Sequence, residues 1–533
     1  MTKLNRLIVA SLTTGAMAAL APRLVATQSS QFDLLITGAT VVDGSGSPGR
    51  RADVAIRNGR IQSVGKIDRT AAKDVIDATG LTLTPGFIDV HTHADDIWEA
   101  PRAENFIRMG VTSIVAGNCG SSAADIAAAF DRAALAPASV NFATLVGHNT
   151  VRRAVMGTAN RAPSAGELQK MKALVWKGMA DGAVGLSTGL QYVPGTYSKT
   201  PEIIDLARVA ANAGGLYASH MRNEGTELEA SVAEALRVGQ ESGARVQISH
   251  LKVDSPSRWG ASEKALALID AARKRGHEVE ADQYAYTAAS SSLGIRFPSW
   301  ALEGGQTKIA ERLNDPATWA RIKGEITALL AERGLQDLSF AKIASYRADP
   351  SLNGLSMAEA AGKLKGSTTA DAQLETAREM MLAGGASMVY HFMSDEDVHR
   401  IMKHPFVGFA SDSGVLTPGA GVPHPRGYGN NARVLGEYVR VRKVITLQEA
   451  IRKMTSLPAA HFRFKDRGLI KEGYAADIVL FDAGTITDAA TFEKPHAYAA
   501  GVPYVLVNGI VVVKNGVHTG ATPGALLRSA APR

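Results

Sequence analysis

The strongest constraint on the fold is a series of short apolar runs, most of which lead into a metal-ligating residue type. The first is Pro85-Gly-Phe-Ile-Asp-Val-His-Thr-His93, in which Phe87, Ile88 and Val90 can be buried while His91 and His93 close the run. In an extended strand residues i and i+2 point the same way, so both imidazoles leave the strand's carboxyl end together. Similar runs follow: Val111-Thr-Ser-Ile-Val-Ala-Gly ahead of Cys119, Phe142-Ala-Thr-Leu-Val-Gly-His, Ala183-Val-Gly-Leu-Ser, Leu216 to His220, Val246 to His250, Glu278 to Asp282, Met388 to His391 and Val407 to Asp412. Helical segments separate them, such as the amphipathic one with Leu228, Val232, Ala235 and Leu236 at i, i+4, i+7 and i+8. About eight strands alternating with helices fit an α/β fold, a (β/α)8 TIM-like barrel, better than an open sheet. A barrel delivers all its strand ends to one face, so these terminal residues would meet there.

Outside that region the pattern changes to short strands and turns. Residues 32–83 contain a hairpin with an Asn58-Gly59 turn, and residues 467–533 contain another at Asn508-Gly509. Each segment is too small to bury a core alone, so the N- and C-terminal pieces are expected to pair into one small β-sandwich. The barrel then occupies residues 84–466. Residues of about 288–350 exceed one β/α unit and are expected to form an inserted lid.

The first residues read as an export signal: Lys3 and Arg6, an apolar run from Leu7 to about Leu20, and small residues before candidate cuts after Ala18, Ala19 or Ala26. Residues 1–26 are accordingly taken as a signal peptide, with a periplasmic destination in a Gram-negative host. That run is too short and interrupted for a membrane span, and no later stretch qualifies. The formal charge is +7, but Lys and Arg are scattered, which argues against a nucleic-acid surface. Cys119 is the only cysteine, so an intramolecular disulfide is excluded. A lone exported thiol must be buried or bound.

His91, His93, Cys119, His220, His250 and Asp412 together make a zinc ligand set, because imidazole and thiolate suit Zn²⁺. Taken singly, each has a plain structural role: a packed histidine, a buried small thiol, or a helix N-cap at Asp412 ahead of Ser413-Gly414. Their shared position at strand ends is what favours a metal site. His148, His391, His399, His404 and His424 have no such placement and are read as loop or core residues.

The N-terminal hairpins, the Pro85–His93 strand and Ser411-Asp412 resemble the amidohydrolase superfamily. Within it, Gly117-Asn-Cys-Gly120, Gly189-Leu-Gln-Tyr-Val-Pro-Gly195, Ser219-His-Met-Arg-Asn-Glu224, Ser249-His-Leu-Lys252 and His424-Pro-Arg-Gly-Tyr-Gly429 resemble the N-acyl-D-amino-acid deacylases, or D-aminoacylases. The resemblance implies one tight zinc on Cys119, His220 and His250, and a second, weaker position on His91, His93, Cys119 and Asp412. Many relatives bridge two metals with a carboxylated lysine on the fourth strand. Ala183-Val-Gly-Leu-Ser187 offers no lysine, so Cys119 takes the bridging place, which argues against a hydantoinase or dihydroorotase.

The implied activity is hydrolysis of N-acyl-D-amino acids by a zinc-activated hydroxide, with Asp412 shuttling the proton to the leaving amine. Lys252, Tyr284 and Ser290 would take the substrate carboxylate, with Tyr192 also in contact. Arg426 is left open between orienting a carboxylate or loop and a buried salt bridge. The alternatives are a dipeptidase or a cyclic-amide or β-lactam hydrolase on the same scaffold, and, outside enzymes, a metal-free binding or scaffold barrel.

Overall fold

The computed structural model describes residues 31–529. The expected export signal over residues 1–26 lies outside the described residues. Among the described residues no helix is long and apolar enough to cross a membrane.

Eight parallel strands form the central barrel: β1 (Phe87–Asp89), β2 (Val111–Ala116), β3 (Asn141–Thr144, continued by Val146–Gly147), β4 (Gly185–Gly189), β5 (Leu216–His220), β6 (Arg245–Ile248), β7 (Val279–Gln283) and β8 (Val407–Phe409). β1 pairs with β2 and β2 with β3, while the continuation of β3 leads through β4, β5, β6 and β7 to β8. The ring closes where Thr92 bridges Ser413 and the Asp412 amide donates to the His91 carbonyl at 2.9 Å. Every residue of β2, β4 and β5 is buried, as expected of strands covered on both faces.

The outer helices follow the sequence pattern. Leu228–Ser242 buries Leu228, Val232, Ala235 and Leu236 and stops at Gly243, whose left-handed φ of 77° suits a residue without a Cβ. Ala165–Ala180 begins on a reciprocal Ser164/Glu167 capping box.

The insertion is larger than the sequence suggested, and one expected barrel strand belongs to it. Ser387–His391 does not join the barrel; it pairs antiparallel with Ala288–Ser292 and with Ala341–Ser345, so the insertion runs beyond residue 350. A short apolar run looks the same in either sheet, and only its partners tell them apart. The insertion has its own core, including Leu293, Trp319, Ile322, Ile326, Ile343 and Met388.

The two chain ends pair as expected, in one continuous nine-stranded sheet: Thr82–Pro85 lies between Phe32–Val41 and Ile478–Phe481. Not all of the C-terminal segment joins it. Around Leu526 the chain returns to the barrel, bridging Phe142, and Phe492 packs against Tyr286, His391 and His424 at the insertion.

Asn141 is the joint of these layers. Its amide nitrogen donates to the Thr112 carbonyl, Ser113 Oγ and Asp477 Oδ2, and its oxygen accepts from Asn508 and from the Ala525 amide. Asn141→Ala strands several buried partners at once and is expected to cost about 2–4 kcal/mol. Thermal denaturation should show a clear fall in melting temperature; an unchanged transition would refute the joint.

Candidate metal centre

The six candidate ligands meet at the mouth of the barrel. Cys119 Sγ lies 3.3 Å from His91 Nε2, 3.6 Å from His220 Nδ1 and 3.6 Å from His250 Nε2. Asp412 Oδ1 lies 3.1 Å from His93 Nε2 and 3.5 Å from His91 Nε2. All are buried except His93, whose side chain is 37% exposed.

Local backbone form puts them there. Cys119, His250 and Asp412 have φ values of 52°, 35° and 50°. The left-handed region is costly for residues with a side chain, and here it turns the chain sharply at three strand ends. The flanking glycines make room at Cys119: a Cβ on Gly117 would meet the Leu145 carbonyl at 2.3 Å, and one on Gly120 would meet Asn149 Oδ1 at 2.5 Å. Asp412 caps no helix; the next one begins at Arg426.

Electrostatics keep these side chains ligand-like. Burial alone would raise the Cys119 thiol, but the imidazoles of His91 and His220 outweigh it and hold the thiol well below its ordinary value. Burial likewise opposes charge on Asp412, yet Arg426, whose Nη1 lies 2.9 Å from Oδ2, and His91 hold the carboxyl well below the usual range. That pair is coulombic, since Arg426 Nη1 makes no directed hydrogen bond. His220 Nε2 is 3.0 Å from Gln191 Oε1 and can donate to it, leaving Nδ1 for a metal. His250 Nδ1 is 2.9 Å from Glu224 Oε1 and 2.9 Å from Lys252 Nζ; the carboxylate beside it favours a proton on Nδ1, which leaves Nε2 free.

These residues fit a divalent zinc ion. A tetrahedral zinc with ordinary bond lengths separates sulfur and nitrogen ligands by about 3.6 Å, the spacing from Cys119 to both His220 and His250. The His220 and His250 nitrogens, 2.8 Å apart, would have to separate slightly. His91, His93 and Asp412 also converge as a possible cation group, and Cys119 touches both sets. Buried His91 Nδ1, 3.5 Å from Asp282 Oδ1, has no hydrogen-bond partner.

A cleft of about 520 Å³ opens over this centre, lined by His93, Cys119, Tyr192, Asp412, Arg426 and several serines. A narrow inner pocket beside it brings together Tyr192, Lys252, Tyr284 and Ser290 with His220 and His250. Lys252 is paired with Glu224 at 2.7 Å, Tyr192 rests on the His220 ring at 4.6 Å between centroids, and Ser290 donates to the Met388 carbonyl. Arg426 faces Asp412 from above the Tyr284 ring in a buried ion pair, the salt-bridge alternative of its two readings. His424, read from sequence as a loop or core residue, does line the outer cleft; its Nε2 donates to the Ala288 carbonyl.

Sequence reasoning missed Gln191, Glu224 and Asp282. Glu224 falls four residues after His220, a spacing that could have flagged it. Asp282 accepts from the His250 amide at 2.8 Å and from Gln247, contacts that no local pattern reveals.

A model of the amidohydrolase family matches residues 74–513. The chain is 37% identical to a D-aminoacylase of Alcaligenes xylosoxydans xylosoxydans over 524 residues, covering 94% of this chain and 98% of the relative. It is 36% identical to an N-acyl-D-glutamate deacylase of the same organism, covering 93% and 97%. Among solved structures it is similar to an N-acyl-D-glutamate deacylase from Bordetella bronchiseptica, solved with zinc and a phosphonate inhibitor that mimics the tetrahedral intermediate. That match has a TM-score of 0.80 and 34% identity, covering 93% of this chain and all of that one.

Cys119→Ser replaces the shared thiolate with a poor zinc ligand. Elemental analysis of the purified variant is expected to show most of the zinc gone; full occupancy would refute the thiolate's place in the site.

Proposed function

The chain belongs to the amidohydrolase family, and from that premise we propose that it is a zinc-dependent hydrolase that cleaves N-acyl-D-amino acids to a carboxylate and a free D-amino acid. The observation that carries this is the buried thiolate of Cys119 within 3.6 Å of His220 and His250, with Asp412 beside it at the cleft. Zinc held by Cys119, His220 and His250 would polarise the amide carbonyl and bring the pKa of water toward ~7. His91, His93 and Asp412 would form the weaker second position.

The chain's own groups supply the proton transfers. Asp412 Oδ1 faces the imidazoles of His91 and His93 while Oδ2 is held by Arg426, so the carboxylate is ionised and aimed before substrate arrives. It can take the proton of the attacking water. It can then pass that proton to the leaving amine nitrogen, without which an amine leaves poorly. Tyr192 and the insertion strand Ala288–Ser292 wall the inner pocket and limit water around the reacting bond.

The polar pocket suits a carboxylate-bearing substrate, with Lys252, Tyr284 and Ser290 at its inner end. A dipeptidase would need a free carboxylate for the substrate ammonium. Around the centre Asp412 is engaged by His93 and Arg426, Glu224 by Lys252, and Asp254 by Arg333. The N-terminal pattern of residues 1–26 supports export, with the periplasm as the working compartment.

N-acetyl, N-succinyl and long-chain N-acyl derivatives of matched D and L amino acids test the substrate class. Turnover should be confined largely to the D series; preference for the L series would discard the deacylase proposal and leave the metal chemistry standing. Asp412→Asn should keep the Cys119-centred metal and lower kcat by roughly 10²–10⁴-fold. Near-normal turnover in steady-state assays would remove Asp412 from the proton path.

A further inference from the structure

Beside the metal centre lies a buried polar cluster that the proposed reaction does not use. The helix His148–Met156 contributes His148, Asn149 and Arg152, the helix Thr200–Asn212 contributes Glu202, and all four are buried. Arg152 Nη1 lies 2.6 Å from Glu202 Oε2, His148 Nε2 lies 3.0 Å from Glu202 Oε1, and His148 Nδ1 lies 3.3 Å from Asn149 Oδ1. These contacts lock the two helices together near their starts and hold Asn149 in place.

The chain from Gly189 to Gly195, which joins β4 to the second helix, crosses Asn149. Asn149 Nδ2 donates to the Gly189 carbonyl at 3.1 Å. The same carbonyl accepts from the Tyr192 amide at 3.1 Å, so it closes the tight turn Gly189-Leu-Gln-Tyr192. The packing leaves no slack: a Cβ on Gly189 would meet the Cys119 carbonyl, and one on Gly195 would meet Asn149 Oδ1. The next residue of the helix, Thr150, gives its amide to the Gly120 carbonyl at 3.1 Å. One helix start therefore touches both the Cys119 turn and the Gly189–Tyr192 turn.

That second turn carries the groups that attend His220. Gln191 Oε1 lies 3.0 Å from His220 Nε2, and the Tyr192 ring rests on the same imidazole. A hydrogen bond at Nε2 fixes the tautomer and the tilt of the ring, and so presents Nδ1 toward Cys119. Gln191 is half-buried on a loop, and its aim depends on the peptide that precedes it. Gly189 has no side chain to restrain that peptide, which the Asn149 amide fastens from outside the turn. We propose that Asn149 is a positioning residue for the metal centre: by holding the Gly189 carbonyl it aims Gln191 at His220, and so sets the ring beside the Cys119 thiolate. The inference rests on the assignment of the tight zinc to Cys119, His220 and His250, and it is independent of which acyl amino acid is cleaved.

Zinc dissociation constants of the wild type, Asn149→Ala, Gln191→Ala and the double variant test the path. Each full-length protein is stripped, titrated with zinc alone up to one ion per chain, and read by competition with a chromogenic chelator. Gln191→Ala is expected to weaken zinc by roughly 10–100-fold, and Asn149→Ala by on the order of tenfold. The double variant should bind zinc as Gln191→Ala does, because the Asn149 amide then has nothing left to aim. A merely structural residue would weaken zinc by the same factor whether or not Gln191 is present. That outcome, or an unchanged affinity in either single variant, would overturn the positioning role while leaving the zinc assignment intact. Asn149→Ser, which also falls short of the Gly189 carbonyl, replaces Asn149→Ala if the latter does not fold; failure of both to fold would assign Asn149 to the fold at large and overturn the proposal. A wild-type protein that binds no zinc tightly would overturn both the positioning role and the zinc-dependent reading.

Discussion

The thiolate of Cys119, surrounded by the imidazoles of His91, His220 and His250, is the interaction on which the rest of the molecule depends. Four donors from four separate strand ends would repel one another or bind protons if nothing balanced them. The barrel holds them by covalent geometry, with Cys119 and His250 in left-handed backbone form, and by carboxylates placed behind the rings of His91 and His250. Such an arrangement is unfavourable as ordinary packing. It is favourable as a preorganised site for a cation that thiolate and imidazole both prefer.

Around that centre, charge is distributed so that each group has a defined state. Arg426 keeps Asp412 ionised, and Glu224 sets His250 while neutralising Lys252. The insertion adds the chemistry that the barrel lacks. Its strand Ala288–Ser292 supplies serines to the cleft, and its turn Leu293–Arg296 places a buried guanidinium beside the inner pocket. The barrel therefore holds the candidate ligands, and the insertion forms part of the wall around them. This division is common where one scaffold serves many substrates, because loops and insertions change without disturbing the strand ends.

The layers are tied together by polar joints. Asn141, at the start of β3, uses all its hydrogen-bonding capacity to connect barrel, sheet and returning C-terminal chain. Phe492, near the end of the chain, reaches the insertion through Tyr286, His391 and His424. The terminal segments thus brace the face that holds the site, although they contribute none of its candidate ligands.

By itself the sequence determined the barrel, the pairing of the two chain ends and all six candidate ligands. These are legible locally: a parallel strand buried on both faces is an apolar run, and a ligand at its carboxyl end is the polar residue that stops it. Tertiary structure alone decided that Ser387–His391 belongs to the insertion, since a strand's sheet is defined by its partners. It alone decided that Arg426 serves Asp412 and that Asp282 and Gln191 stand behind the imidazoles. Charge pairing depends on distances of a few ångströms between segments far apart in sequence. No local periodicity encodes such distances.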